Sequence, residues 1–420
     1  MSKREFTLAY GKKEIKFKLD EKNLLGVLLP EKITPEEDEK TIIENALKNP
    51  VKSAPLAEIV SPKSEVAIIT SDITRSTPSS KMLPPLLNEL ERAGVKRKNI
   101  KIIFALGAHR KHTEEEKKYL VGEKIYENYR CIDHEKENCV SLGKTKSGIP
   151  VEIFKEVNRA DVKICLGNIE PHYFAGYTGG AKSIMPGVSS KISISETHKL
   201  MLSPLSCAGK LDGNPTREAI EEVGEKVGIE FILNVVLNPQ KEVVAAFAGD
   251  KTFAHRKGCE VADTCFKVKI KQKADIVIVS CGGYPKDINV YQAQKALDNA
   301  KYAVKEGGTI ILVGECREGF GDKIFEEWML EATSFRDPVE KLKKEFVLGG
   351  HKAAAIGMLL EKAKVIFVSS LPPSRVRKLF FTPANTLDEA ISIALEEYGK
   401  DASFYIIPSG GITLPYPDKS

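Results

Sequence analysis

The sequence predicts an α/β protein of two α/β domains, each with a mainly parallel sheet covered by helices, and with the functional site in the cleft between them. Three observations carry this. Short, continuous apolar runs recur along the chain and read as strands buried on both faces. Amphipathic stretches of helical period lie between them, the alternation of a parallel sheet with crossover helices. At 420 residues the chain is too long for one ordinary core.

Residues 4–18 alternate in hydrophobicity around Gly11 and predict a hairpin. A polar, proline-containing stretch follows to about residue 63. Strands are then predicted at 65–71, 99–106, 161–167, 231–238, 242–248, 274–280, 308–314, 364–370 and 403–408. Helices are predicted at 78–94, 113–121, 215–227, 291–305, 353–363 and 386–398, and another beginning at a Ser cap near Ser189. The alternation restarts after a charged stretch, which predicts domains of residues 1–270 and 271–420. The last 15 or so residues are candidates to return to the first domain.

The totals exclude several classes. The 63 basic and 58 acidic residues leave a net charge of +5, with no basic stripe of the kind nucleic acid requires. No apolar signal core opens the chain and no window approaches a membrane span, so a cytoplasmic protein is expected. Eight cysteines are scattered without a CxxC pair, against a zinc ribbon, an iron–sulfur cluster or a disulfide framework. Cys165 and Cys281 read as small core residues.

Ligands of doubly wound sheets bind at the carboxyl ends of strands, and four polar clusters fall at such ends. In SDITRSTP (71–78), Arg75 suits an anion because its planar fork donates two parallel hydrogen bonds. The plainer reading makes Asp72 and Thr77 caps and Pro78 a first-turn residue. In GAHRKHT (107–113), His109 and His112 have a spacing that can hold a metal, or can leave one ring facing the cleft. His109, nearest the strand end, is the functional candidate. The long run GNIEPHYFAGYTGGAKSIMPGVSSKISISETHKL (167–200) places His172, Lys182 and His198 around a glycine-rich loop at 176–180. That loop lacks the GxxxxGK[ST] spacing, which disfavours triphosphate hydrolysis. Gly179 and Gly180 still permit close backbone approach to a phosphate, and Lys182 reads as a phosphate binder or a nucleophile. A lone helical histidine such as His198 is more often a satisfied side chain than a ligand. In VYQAQK (290–295), Tyr291 and Lys295 share a helix face with Gln292 beside them, suited to a small carboxylate or phosphate, or simply to a surface helix. His134, His255 and His351 read as structural or exposed.

Taken together, these segments resemble the nickel-pincer lactate racemase (LarA-like) family over nearly the whole chain. The resemblance rests on DITRSTP, GAHRKHT, EPHYFAGYTGGAKSIMPG with SETHKL, DGNP (212–215), VYQAQK and GGHKA (349–353), in that order. It implies an isomerase that racemises a 2-hydroxy acid by proton-coupled hydride transfer. The implied cofactor is a pyridinium-3,5-bisthiocarboxylic acid mononucleotide holding Ni(II). Lys182 would carry it covalently and His198 would ligate the metal. His109 and His172 would be the catalytic bases, and Arg75 and Lys295 would hold the substrate carboxylate. Asp72, Gly179, Gly180, Tyr291 and Gln292 would line the cofactor pocket. Soft sulfur with imidazole suits Ni(II), and two histidines titrating near neutrality suit a base on each face. The resemblance further implies partner enzymes that make the cofactor, and homo-oligomers are compatible with it. One departure stands out: the only tryptophan, Trp328, precedes GGHKAAAIG, where the family places an indole. Alanines occupy 354 and 355, which predicts a roomier pocket and opens the substrate to larger 2-hydroxy acids. A metal-dependent hydrolase and a small-anion-binding protein on the same scaffold are the alternative readings.

Overall fold

A computed structural model describes residues 3–418 and divides the chain into two compact units. One is Lys32–Cys265. The other joins Met1–Glu31 to Phe266–Ser420.

The Lys32–Cys265 unit is built on a six-stranded sheet. Its strands, edge to edge, are Val243–Gly249, Phe231–Leu237, Val162–Ile169, Val66–Ser71, Ile100–Ala105 and Arg130–Asp133. All pair in parallel except the Val243–Gly249 edge, which runs antiparallel. Val162–Ile169 is buried at every position, as expected of a strand covered on both faces. Ile68, Ile102, Ile164 and Leu233 meet helix residues Leu83, Leu86 and Leu90 in the core. From Val66–Ser71 the chain moves outward through two strands, then crosses back to Val162–Ile169 on the other side. The switch point therefore lies between the carboxyl ends of Val66–Ser71 and Val162–Ile169, where such sheets take their ligands.

The second unit has a wholly parallel sheet: Thr382–Ala384, Lys364–Val368, Val304–Val313, Ala274–Ser280, Phe404–Ile407 and Leu24–Val27. Its switch point lies between Ala274–Ser280 and Phe404–Ile407. The hairpin Lys3–Tyr10/Lys13–Asp20 reaches it: Tyr284 N donates to Gly11 O (2.7 Å), Ser280 Oγ to Ala9 O (2.7 Å) and Gly11 N to Asp287 Oδ2 (2.6 Å).

These bonds, with the pairing of Leu24–Val27 on Phe404–Ile407, tie the first 31 residues to the C-terminal unit and revise the expected 1–270 grouping. Hydrophobic alternation revealed the hairpin but carried no information about which sheet it would join. The last strand, Leu414–Pro417, pairs with Lys267–Ile270 inside that same unit, so the C-terminal segment does not leave it. Most strands and helices fall within a few residues of expectation. The polar stretch before residue 63 proves to hold the strand Leu24–Val27 and the helix Glu39–Lys48, the latter capped by Asp38. Among the described residues no helix is long and apolar enough to cross a membrane.

Candidate active site

Three of the four clusters leave the Lys32–Cys265 sheet at its carboxyl edge. After Val66–Ser71 the chain turns at Asp72, which is almost wholly buried. Its Oδ1 accepts from Thr74 N (3.2 Å) and Thr74 Oγ1 (2.7 Å). Its Oδ2 bonds His109 Nδ1, from the turn after Ile100–Ala105. Burial works against the Asp72 charge, but the bonds to His109 and Thr74 and the nearby Arg75 prevail and hold its carboxyl below the usual range. An ionised Asp72 accepts the Nδ1 proton, so the outer His109 nitrogen, Nε2, carries the lone pair. His109 Nε2 makes no hydrogen bond among the described residues, and about a third of the side chain is open to solvent. This is a general-base arrangement.

His112 does something else. Its Nε2 accepts from Ile73 N (3.1 Å) and its Nδ1 bonds Asp133 Oδ1 (2.7 Å). Both nitrogens are spent and the side chain is buried. The HxxH spacing therefore pins the DITR turn and offers no metal site. Thr77 is not a cap either: its hydroxyl donates to Asn168 Oδ1 (3.0 Å), and the helix Ser79–Arg92 starts after Pro78.

After Val162–Ile169 a two-residue ladder pairs Pro171–His172 with Gly176–Tyr177. Gly176 has φ +74°, and a Cβ there would lie 2.0 Å from Lys210 O, so only glycine closes this turn. The turn holds Tyr173, Phe174 and Ala175. Ala175 N donates to His172 Nδ1 (3.3 Å), which leaves the ring proton of neutral His172 on Nε2. Phe174 is the hub. Its ring centroid lies 4.6 Å from that of His172, 5.3 Å from that of His198 and 5.8 Å from Lys182 Nζ. His198 arrives on the helix Lys191–Lys199, capped by Ser190, one residue beyond the Ser189 start that the sequence suggests.

The electrostatics are those of a site short of counter-charge. Burial first, then Arg75 and Arg217, drive the Lys182 amine well below the ordinary lysine range; Glu170 opposes them. Burial, with the Lys182 and Arg75 charges, pushes His198 down to about 3, so its imidazole is neutral at neutral pH. Arg75 thus acts on Asp72, Lys182 and His198 at once, which sets the candidate anion holder among the cluster's main members.

Gly179 and Gly180 have φ +77° and +59°. A Cβ on Gly179 would meet Asn234 Oδ1 at 2.7 Å and Ile169 Cγ1 at 2.9 Å; one on Gly180 would meet His255 Cδ2 at 2.9 Å. The Gly180 amide is committed to Asn234 Oδ1 (2.7 Å). Close approach of backbone to protein by itself requires both glycines here.

Sequence reasoning missed the residues that hold this loop. His255, fully buried, bonds Thr178 O through Nε2 (2.8 Å), and its Nδ1 accepts from Arg217 (3.1 Å). Asn214 of DGNP gives its amide to Phe174 O (2.9 Å), Lys210 O (3.2 Å) and Cys207 O (3.3 Å), while its oxygen caps the helix Pro215–Val227 at Arg217 N (3.1 Å). The Asn-Pro pair at a helix start was the available signal.

In the other unit, Asn289 caps the helix Val290–Ala300. Lys295 is exposed, while Tyr291 and Gln292 are half-buried. Tyr291 lies under the Lys352 ammonium (5.1 Å). Lys352 is itself buried and donates to Gln294 Oε1 (2.6 Å). Ala354 and Ala355 are buried, and a Cβ on Gly350 would come within 2.7 Å of the Trp328 indole. The single tryptophan therefore packs on the GGHK turn from an earlier position in the chain.

Comparison with known proteins agrees across the chain. The lactate racemase N-terminal domain profile matches residues 10–209, and the lactate racemase C-terminal domain profile matches residues 269–414. The lactate racemase of Thermoanaerobacterium thermosaccharolyticum is 36% identical over 417 residues, 96% of this chain and 97% of that protein. The lactate racemase of Lactiplantibacillus plantarum is 34% identical over 418 residues, 96% and 97% of the two chains. The structure of the T. thermosaccharolyticum lactate racemase apoprotein matches with a TM-score of 0.91 at 35% identity, covering 98% of this chain and all of that one. A Thermotoga maritima protein at 21% identity and a TM-score of 0.61 shares the fold. The chain belongs to the lactate racemase family.

Proposed function

We propose that this chain is an isomerase that racemises or epimerises a 2-hydroxy acid, lactate or a related 2-hydroxycarboxylate, with a nickel-pincer nucleotide held covalently on Lys182. The observation that carries the reading is the Phe174 hub. It gathers a desolvated amine whose charged form is disfavoured, a neutral imidazole and a second histidine around one ring.

The residues fit the nucleotide. Lys182 makes no hydrogen bond or ion pair through Nζ among the described residues, so its amine is open to acylation. A neutral His198 can give its lone pair to a soft, planar metal site. The described residues form no group of three or more His, Cys, Asp or Glu suited to a metal, so nickel at His198 would draw its remaining ligands from the nucleotide. When bound, the nucleotide supplies the acceptor and donor for the substrate's α-hydrogen.

The chain's own residues handle the proton and the carboxylate. His109, with Nδ1 bonded to Asp72, takes the substrate hydroxyl proton at Nε2. His172, with Nδ1 bonded to Ala175 N, offers an N–H at Nε2 to the carbonyl oxygen. The two histidines thus present opposite valences, as reaction on opposite faces requires. Arg75 holds the carboxylate so that the planar intermediate can turn without escaping. Lys295 is assigned to the same carboxylate, and Tyr291 and Gln292 to the cofactor pocket, by the family motif.

Intact-protein mass spectrometry with nickel analysis tests the reading, on chain matured beside the cofactor-making enzymes. A mononucleotide-sized adduct with nickel, both absent from Lys182→Ala, is the expected result. No adduct on well-folded chain would overturn it.

A further inference from the structure

Lys182 has an unusual environment even before any nucleotide is considered. Its Nζ faces the ring of Phe174 at 5.8 Å and has no carboxylate within ion-pair distance among the described residues. The charged and titratable groups around it come from five elements: Arg75 on the turn after Val66–Ser71, Glu170 at the end of Val162–Ile169, His198 on Lys191–Lys199, Arg217 on Pro215–Val227 and His255 on Phe253–Phe266. Two are permanent cations. His255 is fixed neutral, donating from Nε2 to Thr178 O and accepting at Nδ1 from Arg217. Only Glu170 favours an ammonium. A lysine desolvated beside other cations is the known recipe for a neutral, nucleophilic amine that condenses with carbonyls.

We propose that chain carrying no nucleotide captures 2-keto acids as an imine on Lys182, with Arg75 holding the carboxylate. The Lys182 nitrogen attacks the C2 carbonyl carbon, forming the C–N bond. The carbonyl oxygen then leaves as water, taking both amine protons, and the C=N bond is formed. No oxidant or metal enters the balance. His172, which shares the Phe174 ring with Lys182, is placed to pass a proton to the departing oxygen. The oxidised form of a 2-hydroxy acid would then occupy, reversibly, the amine that the nucleotide needs. The inference shares Lys182 and Arg75 with the proposed function but not its cofactor.

The test uses full-length chain made without cofactor-making enzymes, pyruvate as the probe, and borohydride to trap the imine at neutral pH. The expected result is one adduct, of the mass of pyruvic acid less one oxygen, on the Lys182 peptide in preference to every other lysine. Lys182→Arg should abolish it. Arg75→Ala should slow trapping of pyruvate by about tenfold or more, the worth of a charge-assisted bond. The same variant should slow trapping of acetone, which has no carboxylate, several-fold less than it slows trapping of pyruvate, the acetone loss reporting only the Arg75 charge that helps keep the Lys182 amine low. Equal slowing of both probes would overturn the role given to Arg75. An unmodified Lys182 in wild-type chain with a native circular dichroism spectrum overturns the inference, as does labelling spread evenly over surface lysines. Either failure leaves the racemase reading standing, since that reading is judged on matured chain.

Discussion

Replacing Asp72 with Asn tests the most specific geometry in the site. The Asp72 Oδ1 accepts from both Thr74 N and Thr74 Oγ1, and Oδ2 faces His109 Nδ1. An Asn carboxamide has one acceptor and one donor end. Turning its NH2 toward Thr74 would set it against a backbone N–H that cannot rotate away, so the oxygen stays with Thr74 and the NH2 turns to His109. His109 Nδ1 must then accept, and the ring proton moves to Nε2, the atom that receives the substrate proton in the proposed reaction. Losing the charge-assisted bond costs about 1.5–3 kcal/mol, or roughly 10–150-fold in kcat/KM. The tautomer change adds to this, and a comparable Asp-to-Asn change in a serine protease costs about 10⁴ in kcat. Two measurements decide the matter: kcat/KM of matured Asp72→Asn, and the His109 tautomer by nitrogen NMR in chain without cofactor. A variant that keeps the Nδ1 proton and retains activity within about threefold would refute the reasoning. Stability carries an independent signature. The Asp72 carboxyl titrates lower in the folded chain than its ordinary value, so its contribution is present above about pH 4 and lost as pH falls through the folded value. The urea-unfolding gap between wild type and variant should therefore narrow in acid.

Three further outcomes are expected. Asn214→Ala strips a helix cap and leaves the Phe174 carbonyl without its amide donor, so it should destabilise the fold by about 2–3 kcal/mol in urea and lower activity through the displaced Phe174 turn; a loss below about 0.5 kcal/mol would show that the turn stands alone. Gly179→Ala demands φ +77° of an L-residue and drives its Cβ to 2.7 Å from Asn234 Oδ1, at a cost of about 1–3 kcal/mol, read as a lowered urea midpoint. His134 and His255 are buried and held neutral by desolvation, His134 down to about 4. The unfolded chain takes up protons below about pH 6.5 that the folded chain refuses. Stability should therefore fall between pH 6.5 and 4 by up to about 1.4 kcal/mol per pH unit for each, less steeply in His134→Gln.

Much of the candidate site was legible because polar clusters of such sheets gather at strand ends. A buried strand announces itself by an unbroken apolar run, as ADVKICLG does, and the polar residues that follow have nowhere to be except the sheet's rim. That logic placed Asp72, His109, His172 and Lys182 beyond the strand ends, where the structure has them. It failed where a residue's partner is remote in sequence. Arg217 and His255 lie on separate helices, 40 and 77 residues from Tyr177 and Thr178, the loop carbonyls they bond, and neither carries a local pattern. His112 misled in the other direction: its spacing from His109 fits a metal, yet its work depends on Ile73 and Asp133, 39 and 21 residues away. The hairpin's destination was hidden for the same reason, since alternation specifies a strand but not its neighbour.

That destination has a consequence for how the chain is born. The hairpin's partners at Ser280, Tyr284 and Asp287 are separated from it by the whole of Lys32–Cys265, about 230 residues. At roughly 5–20 residues per second the ribosome needs on the order of 10–50 s to supply them. Throughout that interval the hairpin strands, with Leu8, Phe17 and Leu19 destined for the core, lack the sheet they join. The contiguous unit between them can complete its own fold in the meantime. Folding thus proceeds from the inside out, and a segment made before the contiguous unit finds its place after it.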